Sequence, residues 1–236
     1  MTGTVLMVTH FEGTDLKWIH KLVHARGLQS QLAQPFAGEE LPELGSLAAV
    51  ICLGGPQSAY DGERHPFLVE EQNFLARAVE QQVPVLGICL GSQILSLALG
   101  GAVVHGSQGL ECGLIDVRLA PGNHSILELE GQFFSFHSDS FVPPIGAELL
   151  AVSNRYPQAW RFGSALAVQF HPEISPIGIQ ALLSVEATKL GAHGIDVTEL
   201  LSAAVRDEGH AWTGAQRVVG GWLDTAVLAT ERQPIP

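Results

Sequence analysis

One uncharged stretch, residues 83–104, constrains the fold of this chain more than any other feature. It reads VPVLGICLGSQILSLALGGAVV, and it is long enough to cross a bilayer as a helix. Four glycines, Pro84, Ser92 and Gln93 interrupt it, however. A short buried strand, a turn and a buried helix account for it better, because the strands of a parallel sheet are apolar on both faces. We therefore predict an α/β core and no membrane span.

The neighbouring segments repeat this alternation of strand and helix. Residues 4–9 (TVLMVT) and 48–53 (AAVICL) have the apolar, β-branched pattern of buried strands. Apolar residues at helical spacing predict helices over residues 16–26, 65–81 and 92–99. This rhythm predicts an open, mostly parallel sheet with helices on both faces.

The second half of the chain has a different pattern. Between about residues 102 and 170 there are short extended runs, which predict additional antiparallel strands: LIDVRLA, QFFSFHS, ELLAVS, AWRF and ALAVQF. Helix returns after Pro176, and two more helices are predicted from about Gly191. We therefore predict one α/β domain over residues 1–190, with a helical extension over 191–236 packed on the same domain.

Composition and charge exclude several classes of protein. The chain has 24 acidic and 12 basic residues, so its formal net charge of -12 disfavours binding to nucleic acid or to an anionic membrane. The three cysteines, an odd and sparse set, predict free thiols in a reducing compartment, most simply the cytoplasm: Cys52, Cys89 and Cys112. The N-terminal residues lack a basic leader, so no secretion signal is predicted.

The sequence predicts neither a metal nor another cofactor. There is no C-x-x-C pair, and the spacing of histidines such as His10, His20 and His24 does not form a ligand set. His20 and His24 share a helix face at i, i+4, but the accompanying Glu and a third ligand are missing. Exposed surface histidines explain that pair better.

A nucleophile motif occurs inside the uncharged stretch. Residues 87–91 read GICLG, and this G-x-C-x-G between strand and helix is the thiol counterpart of the G-x-S-x-G elbow. The turn would place the sulfur of Cys89 at a helix N-terminus, where the helix dipole favours the thiolate. The alternative is a buried structural cysteine in a glycine-rich turn.

Two further motifs could complete such a site. QFHPE at residues 169–173 supplies an imidazole, His171, and an acid that could orient it, Glu173. GGPQS at residues 54–58 supplies small residues whose backbone amides could face a pocket, and the amides of Gly55 and Leu90 are the natural oxyanion donors. Alone, each could be an ordinary strand end or turn. All three follow predicted strands, at the edge where open parallel sheets place their sites.

In this order the motifs resemble the class I, or triad-type, glutamine amidotransferases. The matching segments, spread over about residues 5–183, are GGPQSAYD, PVLGICLGSQ, GLECG, FHSD and VQFHPE. FHSD is similar to a segment of the GMP synthase amidotransferase domain. The resemblance implies a flavodoxin-like sheet and a catalytic triad of Cys89, His171 and Glu173. It also implies that Cys89 attacks the side-chain amide of glutamine and that ammonia leaves a γ-glutamyl thioester.

The same resemblance implies substrate and partner interactions. Gln93 and the backbone near Phe136 and His137 would hold the substrate, while Glu111 would be structural. No segment resembles the synthetase domain that would use the ammonia, so either a separate synthetase subunit receives it or the enzyme works alone. Free-standing relatives include γ-glutamyl peptidases, which act on peptides such as glutathione.

Two other interpretations remain open from the sequence. The chain could be a non-catalytic, glutamine-binding regulatory module of the same fold, although such a module has no need for thiol, imidazole and carboxylate together. Trp212 and Trp222 more plausibly pack the last helices onto the domain, but aromatic residues are also enriched at interfaces and could mark a homodimer or partner surface.

Overall fold

The computed structural model describes residues 3–123 and 127–227, and within these it has a large mixed sheet. The strands are β1 (Thr4–Val8), β2 (Gln29–Ala33), β3 (Leu47–Cys52), β4 (Val85–Ile88), β5 (Ala102–His105), β6 (Glu111–Leu119), β7 (Gly131–His137), β8 (Asp139–Val142), β9 (Glu148–Val152), β10 (Pro157–Phe162) and β11 (Ala165–Val168). Five strands of the large sheet run parallel in the order β2-β1-β3-β4-β11, and the sheet continues antiparallel through β10, β9, β6 and β7. A separate antiparallel pair is formed by β5 and β8.

Helices cover both faces of the parallel part, as the sequence predicted. They are α1 (Lys17–His24), α2 (Phe67–Glu80), α3 (Leu90–Ala98), α4 (Pro176–Val185), α5 (Ala187–Ala192), α6 (Val197–Arg206) and α7 (Glu208–Ala215). Two π-helical turns, Gln216–Gly220 and Leu223–Val227, follow α7. The stretch 83–104 folds as β4, α3 and β5, and the described chain contains no helix that is both long and apolar enough to cross a membrane.

The pleat of the central strands explains the two-sided core. On β1, Val5 and Met7 face the layer of α1, whereas Leu6 and Val8 face the layer of α2 and α3. All four side chains are buried. Apolar residues on both sides of each strand therefore dictate a sheet with two covered faces.

The C-terminal helices share one of these cores. Trp222 is buried in the same cluster as β1 and α1, and Trp212 packs edge-on against Trp18 with ring centroids 5.5 Å apart. The division of the chain at residue 190 stays a prediction, and residues 228–236 of the predicted extension lie outside the described residues.

The topology brings three motifs to one edge of the sheet. Strands β3, β4 and β11 are adjacent and parallel, so their carboxyl ends meet. The loop that follows β3 begins at Leu53, Cys89 follows β4, and His171 lies three residues after β11. The predicted oxyanion, nucleophile and base segments are consequently neighbours.

Candidate active site

Cys89 occupies a strained turn between β4 and α3. Its φ of 51° and ψ of −110° are unusual for a residue with a side chain, and such strain is found at functional sites. The amide of Cys89 donates to Val168 O at 2.9 Å, and Gly91 N–H donates to Leu53 O at 3.0 Å, which ties the turn to both neighbouring strands. A Cβ on Gly91 would lie 2.0 Å from Cys52 O, so only glycine allows this approach.

His171 and Glu173 form a buried pair beside this turn. His171 Nδ1 lies 2.9 Å from Glu173 Oε1, and both side chains are almost fully buried. The amide of His171 donates to Phe134 O at 2.8 Å, which fixes the backbone of the imidazole against β7. Nδ1 is therefore the nitrogen that Glu173 orients, and Nε2 is left without another hydrogen-bond partner among the described residues.

Cys89 and His171 are brought together over Gly54. A Cβ placed on Gly54 would lie 2.8 Å from His171 Cε1 and 3.4 Å from Cys89 Cβ, so the two side chains flank the same point. Burial lowers the pKa of His171, but the negative charges of Glu173 and Cys89 outweigh it and raise that pKa to about 10. The imidazole is thus held as imidazolium next to the sulfur at neutral pH.

Backbone amides line the cavity that contains the sulfur. The cavity has a volume of about 270 Å³, and Gly55, Cys89, Leu90 and His171 are among the residues that line it. Within the described part of the chain, the amides of Gly55 and Leu90 have no acceptor. The next two amides of α3 do have acceptors: Gly91 N–H donates to Leu53 O, and Ser92 N–H donates to Cys89 O at 3.0 Å. The free pair is the one that the sequence suggested as oxyanion donors.

The three predicted substrate-binding residues also line this cavity. Gln93 Nε2 donates to Asp139 O at 3.1 Å and to Gln169 Oε1 at 3.3 Å, so its amide nitrogen is occupied within the protein. Phe136 O lies 3.9 Å from the Cys89 sulfur. The structure therefore brings Gln93, Phe136 and His137 to the site, and the peptide oxygen of Phe136 faces the nucleophile.

The imidazole of His137 is held by a buried network. Its Nε2 lies 3.1 Å from Glu111 Oε2, and its Nδ1 lies 2.9 Å from Asp139 O. Ser153 and Gln158 donate to the same carboxylate, each at 2.7 Å. Burial raises the pKa of Glu111, but hydrogen bonds from His137 and these two residues lower it overall. Both ring nitrogens are therefore engaged within the protein.

Sequence reasoning missed three charged residues of the cavity. Asp139 accepts from His105 Nδ1 at 3.1 Å and from Ser58 Oγ at 3.5 Å. Glu186, just before α5, and Lys189, within it, also line the cavity. Asp139 belongs to the FHSD segment, which could have identified it. No signal marked Glu186 and Lys189, because α5 itself was not predicted.

Among the residues that the structure describes, one group of potential metal ligands lies outside the cavity. The ligand atoms of His10, Cys52 and Glu71 all lie within 4.8 Å of one another, and all three residues are buried. The pair that was considered from sequence, His20 and His24, instead shares a hydrogen-bond partner. Their rings lie 2.9 Å and 3.0 Å from Ser30 Oγ.

The chain is similar to known proteins in both sequence and fold. A sequence model of the family described as glutamine amidotransferase class-I matches residues 9–182. The chain is 29% identical over 143 residues to the glutamine amidotransferase-like protein chry6 of Gibberella zeae, covering 59% of this chain and 60% of that protein. It is 30% identical over 239 residues to the glutamine-hydrolyzing GMP synthase of Aeropyrum pernix, covering 95% of this chain and 44% of the synthase. The chain thus spans less than two thirds of the length of either curated relative.

A solved structure resembles the whole fold. The crystal structure of a glutamine amidotransferase from Thermotoga maritima superposes with a TM-score of 0.86 at 28% identity. The match covers 96% of this chain and 99% of that one, so it includes the C-terminal helices as well as the sheet.

Proposed function

We propose that this chain, which belongs to the class-I glutamine amidotransferase family, hydrolyses the side-chain amide of glutamine through a thioester on Cys89. One observation carries the proposal. Cys89 stands on a strained turn in the same cavity as His171, whose other ring nitrogen is held 2.9 Å from Glu173. Nucleophile, base and orienting acid are the parts that amide hydrolysis by a thiol requires.

The first half of the reaction forms the thioester. The thiolate of Cys89 attacks the amide carbon, a C–S bond forms, and the carbonyl oxygen becomes an oxyanion that accepts from Gly55 N–H and Leu90 N–H. The imidazolium of His171 then gives its Nε2 proton to the departing nitrogen. The C–N bond breaks, ammonia leaves, and neutral His171 remains beside the γ-glutamyl thioester.

The second half releases the acid. His171 takes a proton from water, the hydroxide attacks the thioester carbon, and the C–S bond breaks to give glutamate and the thiolate–imidazolium pair. Glu173 holds Nδ1 throughout and does not itself receive a proton. Gln93 and the backbone at Phe136 and His137 would hold the glutamyl group.

The fate of the ammonia depends on partners. The relatives include whole GMP synthases, of which this chain spans under half, and a separate synthetase subunit could receive ammonia from it. The homodimer suggested from Trp212 and Trp222 remains a prediction. Three unpaired thiols support a reducing compartment such as the cytoplasm for this reaction.

A second candidate function is γ-glutamyl peptide hydrolysis. Glu186 and Lys189 line the cavity, although both lie beyond residue 182, where the family match ends. Lys189 Nζ lies 5.3 Å from the centre of the ring of Phe136, whose backbone oxygen lies 3.9 Å from the Cys89 sulfur. Two charges of opposite sign at the wall favour a substrate that continues past the amide with charged groups of its own, as a peptide does.

A panel assay separates these functions. Purified protein is given glutamine, γ-glutamyl dipeptides, glutathione and folate polyglutamates, and release of ammonia or amine is measured. Turnover of glutamine without partner or nucleotide supports the autonomous amidase, and faster turnover of γ-glutamyl dipeptides supports the peptidase. Turnover that requires a co-purifying synthetase supports the subunit. Binding of a glutamine analogue with no turnover in any arm would contradict hydrolysis and favour the regulatory module.

A further inference from the structure

We propose that His10 and Glu71 are positioning residues that fix the orientation of the Gly54–Gly55 peptide, so that Gly55 N–H faces the oxyanion. The inference rests on the proposed function, because it concerns how the oxyanion donor is held. His10 follows β1 and Glu71 lies on α2, and neither residue lines the cavity beside Cys89.

The contacts run in a line from α2 to the loop after β3. Glu71 Oε2 lies 2.9 Å from His10 Nε2, and His10 Nδ1 lies 3.3 Å from Gly54 O. The side chains of His10 and Glu71 are at most 1% exposed. Gln57, in the same loop as Gly54, donates from Nε2 to His10 O at 2.9 Å, so a second hydrogen bond joins this loop to His10.

Peptide geometry converts this contact into an orientation. The Gly54 carbonyl and the Gly55 N–H belong to one peptide unit, and no cis peptide bond occurs in the described chain. In a planar trans peptide the C=O and N–H bonds point in opposite directions. A carbonyl held inward by His10 therefore turns Gly55 N–H outward, and Gly55 lines the cavity.

Close packing keeps the imidazole against this peptide. A Cβ on Gly55 would lie 2.4 Å from His10 Cβ and 3.0 Å from Leu90 Cδ2. The loop thus approaches His10 at one side and the nucleophile helix at the other. A glycine pair alone could rotate its shared peptide at little cost, because glycine tolerates many backbone angles. The hydrogen bond to His10 removes that freedom.

The proton count explains why a carboxylate accompanies the histidine. Both ring nitrogens of His10 face acceptors, a carboxylate and a carbonyl, whereas a neutral imidazole has only one N–H. Both contacts are hydrogen bonds only if the pair holds one further proton, on the ring or on Glu71. Glu71 holds the ring at Nε2, and the contact at Nδ1 then requires an N–H that donates to Gly54 O.

A metal would explain the same cluster less well. A tetrahedral zinc ion has ligands at about 2.0–2.1 Å, which separates neighbouring ligand atoms by about 3.3 Å. The nitrogen of His10 and the oxygen of Glu71 are 2.9 Å apart, the distance of a direct hydrogen bond. Cys52, whose pKa burial and the charge of Glu71 raise well above its usual range, stays a protonated thiol beside the pair.

Two substitutions of His10 separate its contacts. In His10→Asn the amide nitrogen takes the place of Nδ1 and can still donate to Gly54 O, whereas in His10→Gln it takes the place of Nε2 and reaches only Glu71. We expect His10→Gln to lower kcat for glutamine on the order of 10²-fold with little change in KM, as loss of an oxyanion donor does. His10→Asn should keep most of kcat. Glu71→Leu provides a third variant. It leaves the imidazole in place but removes the polar contact at Nε2 that holds the ring, and it should lower kcat with the same unchanged KM.

Alkylation of Cys89 by iodoacetamide is the matched control, because that reaction forms no oxyanion. Its rate should stay at the wild-type value in all three variants. Wild-type kcat in His10→Gln would overturn the proposal, as would a parallel fall in kcat and alkylation rate. If His10→Gln does not fold, Glu71→Leu decides by the same criteria. One equivalent of zinc in the purified protein, lost in His10→Asn, would also overturn it.

The orientation of the peptide can be tested even if the wild-type protein turns over no substrate, an outcome that would refute the proposed function alone. Crystal structures of the wild type and of Glu71→Leu or His10→Gln then give the answer. We expect Gly54 O to point toward position 10 in the wild type and the peptide to be rotated in the variant. An unchanged peptide in the variant would overturn the inference.

Discussion

Replacement of Glu173 by Gln perturbs the electrostatics of the site with little change in shape. The substitution keeps a carbonyl oxygen near His171 Nδ1 but removes the negative charge that now lies 2.9 Å away. Both residues are nearly inaccessible to water, so solvent screens this charge weakly. The pKa of His171 should fall, and with it the fraction of Cys89 present as thiolate beside an imidazolium.

The size of the effect follows from the raised pKa. A value of about 10 in place of the ordinary 6.5 corresponds to on the order of 5 kcal/mol of preference for the imidazolium. Glu173 and Cys89 share this stabilisation, and the charge of Glu173 is the largest single favourable contribution. Loss of that charge should remove on the order of 2 kcal/mol, which is about 30-fold in the equilibrium between the ion pair and the neutral pair.

The assay is the rate of Cys89 alkylation by iodoacetamide as a function of pH. A Cys112→Ala background removes the one other cysteine that is partly exposed, since Cys52 is fully buried. The fraction of thiolate can fall by at most the same factor, so at neutral pH the Glu173→Gln rate should lie below the parent rate by up to about 30-fold, and the difference should shrink above the pKa of a free thiol. Glu80→Gln, which removes an exposed carboxylate at the end of α2, is the control for net charge.

The same pH profile for Glu173→Gln and its parent would refute this account of the pair. A loss of equal size in Glu80→Gln would refute it too, because the effect would then come from overall charge and not from contact with His171.

Three further predictions follow from the site and its support. Cys89→Ala should abolish glutamine turnover while leaving the melting temperature close to wild type. His171→Ala should lower turnover nearly as much, because the two residues act as a unit. Retained turnover in either variant would contradict the roles assigned. Gly91→Ala should lower the free energy of unfolding, measured by urea titration, by about 3 kcal/mol or more, because its Cβ would lie 2.0 Å from a backbone oxygen. Gly209→Ala should not lower it, because the Cβ of that alanine would have no atom within 4 Å. The raised pKa of His171 adds stability that is fully present below about pH 6.5 and is lost as pH rises toward 10. The free energy of unfolding should therefore differ more between pH 6 and pH 10 in the wild type than in His171→Gln. Equal differences in the two proteins would contradict this prediction.

Much of the fold could be predicted from sequence because the central strands are apolar on both faces. The predicted strands at residues 4–9 and 48–53 correspond to β1 and β3, and the predicted family and α/β fold are confirmed. Strand β2 was missed because its sequence, QSQLA, is largely polar, as suits an exposed edge strand. Helix α5 was missed because six residues are too few for helical periodicity to show.

The site could be predicted only where function imposes a local pattern. The turn at Cys89 requires glycines on either side, and that requirement is visible in the sequence. The contact between His10 and Gly54 joins residues 44 apart through adjacent strands, so no local spacing reveals it. Lys189 reaches the cavity from a helix whose position depends on tertiary packing. Such contacts are properties of the folded chain, and a single sequence does not specify them.

The central claim, a γ-glutamyl thioester on Cys89, can be tested most directly by mass spectrometry. The protein is mixed with glutamine, quenched in acid within the first turnover, digested and searched for one glutamyl acyl group on each cysteine peptide. We predict the acyl group on the peptide that contains Cys89, and none on those of Cys52 and Cys112. Turnover of glutamine with no acyl group on Cys89, or with the group on another residue, would contradict the account.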